Sequence, residues 1–296
     1  MMFGAFNRRY WMKQWKQYIL AATLVASTAF TSVALGADGT AQQQKAIIGG
    51  SATLPATVKM VELSKTNMVP YLLKDFEQHV KTMDTKSSAK GVAAGTAMTG
   101  EEAYKQAQAD KATSQAILAW LDAYRLGEKS DVYQWQVKDA EGRKTAQIIA
   151  VKLDDVAALI PGIPLQLNGV KPKVDESTVD AGMFMLNMQI NESRKNGQPF
   201  LYKSGTLGDS IVEEQIDYTV QVDNLMPLQK LTSSRYPTYT TSANVLYGVG
   251  GFEQAYYVQP TVVLTKNEPV LYVMITSDIE KTTFAPIFTS FIGSLK

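Results

Sequence analysis

Cysteine is absent from the 296 residues, and histidine occurs once, as His79. The first absence excludes disulfides, thiolate catalysis, iron–sulfur clusters and cysteine zinc sites. The second leaves no pair of histidines for a metal within one chain. Charge is also in short supply. Charged residues make up 19% and the formal net charge is +1, so there is no basic field for nucleic acid to follow. G-x-S-x-G, S-x-x-K and H-E-x-x-H motifs are missing as well, and no internal repeat is visible. No catalytic residue, metal ligand or cofactor follows from any motif.

Export is the strongest positive signal. Arg8, Arg9, Lys13 and Lys16 precede an apolar stretch from Ile19 to Ala34, with no acidic residue through Gly36. A cationic start, an apolar centre and small residues at the end are the parts of a secretory signal peptide. Residues 1–36 are therefore read as a signal, with Met12 as an alternative start and cleavage after Gly36 or Ala37. The competing reading is an uncleaved N-terminal membrane anchor. Against it stand Thr23, Ser27, Thr28, Thr31 and Ser32, which are polar for a spanning helix. Losing the four cationic residues turns the balance slightly acidic, which does not suit anionic lipid. The expected location is periplasmic or extracellular, with membrane contact only through an uncleaved signal.

The remainder is read as α+β: a helical N-terminal part, then a mainly antiparallel sheet of hairpins covered by a C-terminal helix. Residues 37–57 read as a linker and 58–296 as one domain, helical over 58–130 and strand-rich over 131–296. Pro70 opens a helix carrying Leu72, Leu73, Phe76, Val80 and Met83 at helical spacing. Thr99 and Glu102 form a capping box for a second helix ending near Leu126, with Gly127 beyond it. From Val132 the period becomes two. Val132–Lys138 with Lys144–Leu153, and Tyr256–Thr265 with Val270–Thr276, read as hairpins, and 199–203 and 211–222 as further strands. Over 179–195 the alternation of Phe184, Leu186, Met188 and Ile190 favours a strand, while Val179, Met183, Leu186 and Ile190 fit a helix nearly as well. Asp278 is placed to cap a final helix bearing Phe284, Ile287, Phe288, Phe291, Ile292 and Leu295.

The chemistry-bearing residues are sparse. His79 reads as a half-buried helix residue. Gly248-Val249-Gly250-Gly251 lacks phosphate-loop spacing and reads as a bulged strand or loop. Asp154-Asp155 suits a helix start, and Glu213-Glu214 would point to opposite sides of a strand. Asp209, Glu213 and Asp217 would share a face only if helical. One span stands out: Tyr236, Tyr239, Tyr247, Phe252, Tyr256 and Tyr257, interleaved with Ser, Thr and Gly. Tyrosine offers a flat apolar face and a hydroxyl at little entropic cost, so these six are the candidate ligand-binding residues, against a role as ordinary strand residues. The expected function is that of a non-catalytic exported envelope protein that binds a partner protein or small ligand, and no nucleic acid. The alternative is a carboxylate-dependent hydrolase of the envelope.

Overall fold

A computed structural model describes residues 42–64, 126–139, 142–153, 175–207, 216–232, 234–249, 252–266 and 268–296. Strands are β1 (Gln42–Ile47), β2 (Gly50–Pro55), β3 (Val58–Leu63), β4 (Ser130–Asp139), β5 (Gly142–Lys152), β6 (Leu201–Leu207), β7 (Ile216–Asp223), β8 (Gln229–Leu231), β9 (Thr238–Thr240), β10 (Ala243–Val249), β11 (Phe252–Leu264) and β12 (Pro269–Ser277). Helices are α1 (Glu176–Lys195) and α2 (Lys281–Gly293). One antiparallel sheet runs in the order β3-β4-β5-β12-β11-β10-β7-β6, and β8 and β9 extend it beside β11.

The described residues are therefore mostly antiparallel β-sheet with two helices, not an α+β chain with a helical N-terminal part. Gln42–Pro55, within the segment read as a linker, is a hairpin, and Val58–Leu63 is an edge strand paired with β4. Short polar alternation hid these strands: Gln42, Gln44 and Ala46 are exposed along β1 and their neighbours half-buried. Gly49, at φ 90, makes the turn, where a Cβ would press on the Tyr272 hydroxyl at 2.6 Å. The helices expected after Pro70 and Thr99 lie outside the described residues, as do residues 1–36 and the connector at Pro161, Pro164 and Pro172.

The segment over 179–195 is a helix. Phe184 and Met188 are exposed whereas Leu186 and Ile190 are buried, so the four do not share a strand face. The true stripe is Val179, Leu186 and Ile190, joined by Met183, at helical spacing. Glu176 in the first turn and Arg194 and Lys195 in the last suit the helix dipole, and Gly197 at φ 61 ends it.

Pleating sorts the core into two layers. One face carries Val132, Ile149, Val220, Val245, Tyr256 and Val273 against α1. The other carries Trp135, Ile148, Val270, Tyr272 and Met274 against α2 and the β1–β2 hairpin. Trp135 packs edge-on to Phe291, with centroids 4.9 Å apart, and tilted to Phe288 at 6.2 Å. The α2 N-cap is Glu280 with no side-chain cap bond; Asp278 instead accepts from Lys281 Nζ at 2.8 Å.

Pro260 divides the edge of the longest strand. Its carbonyl accepts from Thr241 N–H at 3.1 Å, so the side without an amide hydrogen faces β9 and β10. β10 pairs with β11 up to Val258, and β9 takes over at Thr261.

Candidate functional site

The tyrosine-rich span is distributed by the pleat. Tyr247 and Tyr256 point to the α1 face and are buried. Burial holds the Tyr256 hydroxyl well above the ordinary tyrosine range. Tyr239 is buried at the N-terminal end of α1, where its hydroxyl donates to Asp180 Oδ1 at 2.8 Å. Lys230 bridges Glu176 and Asp180 and lies 5.5 Å from the Tyr239 ring centre. This cluster fastens α1 to β8 and β9. The Asn187 side chain adds a second fastening, accepting from Leu228 N–H at 2.7 Å and donating to its carbonyl at 3.0 Å.

Tyr236 and Tyr257 lie on the opposite face, partly buried beside the α2 layer. The Arg235 guanidinium sits 5.7 Å from the Tyr236 ring centre. Phe252 pairs through its backbone with Val249 at the tip of the β10–β11 hairpin, in the Gly-rich stretch. Of the six candidates, then, Tyr239, Tyr247 and Tyr256 share one side of the sheet, and Tyr236 and Tyr257 the other.

Tyr257 lines a groove. With Gln259 it forms the sheet wall, and Ala285, Pro286, Thr289, Ser290, Gly293 and Ser294 form the α2 wall, around a volume of about 820 Å³. Gln259 Nε2 donates to Thr289 Oγ1 at 3.3 Å and Thr240 Oγ1 at 3.4 Å, and the Tyr257 hydroxyl donates to Gln259 Oε1 at 3.4 Å. Ser294 Oγ is taken up by Thr53 N–H at 2.7 Å and the Phe291 carbonyl at 2.7 Å. No residue of the lining is charged. Sequence reading gave the last helix its apolar stripe but did not bring Thr289 and Ser290 to Tyr257. Helix and strand meet through tertiary packing, which no local period encodes.

On the α1 face Gln147 is fully buried, and neither amide atom has a hydrogen-bond partner among the described residues. It stands between Gln134 of β4 and Ile275 of β12.

Acid groups give no comparable assembly. Among the described residues no three His, Cys, Asp or Glu side chains gather to hold a metal. Asp217 is exposed on β7. His79, Asp154, Asp155, Asp209, Glu213 and Glu214 lie outside the described residues. No described helix is long and apolar enough to cross a membrane. No family model, curated protein or solved structure matches the chain.

Proposed function

We propose that this chain is an exported, non-catalytic envelope protein whose groove between α2 and β11 binds a neutral polyhydroxylated ligand, a segment of glycan. The lining carries the reading. An aromatic ring, a fixed amide, the hydroxyls of Thr289 and Ser290, and small Ala285 and Gly293 line a shallow, open, charge-free groove. A tyrosine face stacks on the apolar side of a sugar ring, and hydroxyls and amides match its edge. An anionic or cationic ligand would find no counter-charge there. The hydrogen bonds from Gln259 to Thr240 and Thr289 fix the floor before a ligand arrives, which reduces the ordering cost of binding. Export rests on the cationic, apolar and small-residue order of residues 1–36.

Chemical-shift mapping of the mature protein with chitotetraose tests the groove. Shifts are expected at Tyr257, Gln259, Thr289 and Ser290, and Tyr257→Ala should weaken binding about tenfold, or about 1.4 kcal/mol. Shifts elsewhere, or none at millimolar sugar, would remove the glycan reading. For export, sequencing the protein from its host should find Ala37 or Asp38 first; an intact segment 19–34 in the membrane fraction would replace secretion with anchoring.

A further inference from the structure

Helix α1 turns an apolar stripe away from the sheet it covers. Phe184 is 67% exposed, Met188 59% and Met185 49%, while Leu186 and Ile190 on the same helix are buried. Three large apolar side chains at i, i+1 and i+4 form one contiguous patch, larger than the scattered single residues ordinary surfaces carry. The patch falls at the middle of the helix. Its two ends differ in sign: Asp175, Glu176 and Asp180 outweigh the bridging Lys230 at the start, and Arg194 and Lys195 outweigh Glu192 at the finish.

We propose that this face pairs with a second copy of the chain, two α1 helices docking antiparallel about an axis near Leu186. The arrangement is self-complementary. Phe184 of one copy meets the partner's Met188 and the reverse, so a central patch covers itself. Lys195 reaches the partner's acidic first turn, and the helix dipoles oppose. A parallel pairing would set acid against acid and base against base, and align the dipoles unfavourably. The neutral groove beside α2 lies on the other face of the sheet, so dimer formation leaves it open.

Sedimentation equilibrium of the mature protein should give a dimer that weakens with salt. Met188→Glu, at an exposed position, should leave circular dichroism unchanged and weaken association about a hundredfold, because a carboxylate would be buried without a partner. The cysteine-free sequence permits a geometric test by oxidative cross-linking. Met185→Cys, next to the axis, should link to itself. Ser177→Cys should not, because its two copies would stand about 27 Å apart along the helices at 1.5 Å per residue. Mixed with Lys195→Cys, it should give the heterodisulfide. A monomer at every concentration, a dimer indifferent to Met188→Glu, or a self-linked Ser177→Cys would each overturn the proposal. The first of these would return the stripe to a different partner, and the last would make the pairing parallel.

Discussion

Gln147 sets two polar atoms inside the α1 layer, flanked across the strands by Gln134 and Ile275. A buried amide without partners costs about 1–3 kcal/mol. Methionine fills nearly the same volume with no such demand. Gln147→Met should therefore raise stability by about 1 kcal/mol or more, read as a higher urea midpoint at unchanged slope. A lower midpoint would mean that the amide is held by something that travels with the folded protein. Single residues also mark the boundary of sequence reading. Alternation alone distinguishes Tyr256 from Tyr257, and it puts them on opposite faces. That parity was legible. Which face would meet α1 and which α2 was not, because both faces of this sheet are covered and strand residues turned either way are apolar.

The two helices illustrate opposite cases. In α2 the three phenylalanines and Ile292 face the sheet, so Phe284, Phe288, Phe291 and Ile292 announce both the helix and its buried side. Phe288→Ala should cost about 3–5 kcal/mol, the range for removing a fully buried ring, and calorimetry or urea unfolding measures it. A loss below about 1 kcal/mol would show that the layer refills the space. In α1 the exposed Phe184, Met185 and Met188 corrupt the period, since they are apolar without belonging to the core. The hairpins β4–β5 and β11–β12 were legible because each is closed by its own neighbours in sequence. The β1–β2 hairpin was not: its strands are short, β1 is glutamine-rich and exposed on one side, β2 opens on Gly50 and Ser51, and tertiary support keeps both in place.

For the molecule as a whole, the deciding junction is β5 against β12, with Val151 opposite Leu271 and Ile149 opposite Val273. It welds an N-terminal meander of β3, β4 and β5 to a C-terminal one running from β6 to β12. Local pattern does not specify a pairing across so many residues, though β12 carried a hint. Val270 to Ser277 is buried at every position, as suits a central strand sandwiched between two layers. A second long-range union matters as much. Thr53 N–H donates to Ser294 Oγ across 241 positions, and Ala52 and Leu54 share a core cluster with Phe291 and Leu295. The hairpin and the last helix thus shelter the same surface, and each supplies a wall to the other where both rest on the sheet. Such closure is slow, since loop entropy is lost before the contacts repay it. The timing of folding follows: until α2 has been synthesised, β1 and β2 meet the sheet at Tyr272 and Val270 but lack the wall that Phe291 and Leu295 supply, and that corner of the chain stays pliable until the late helix is delivered.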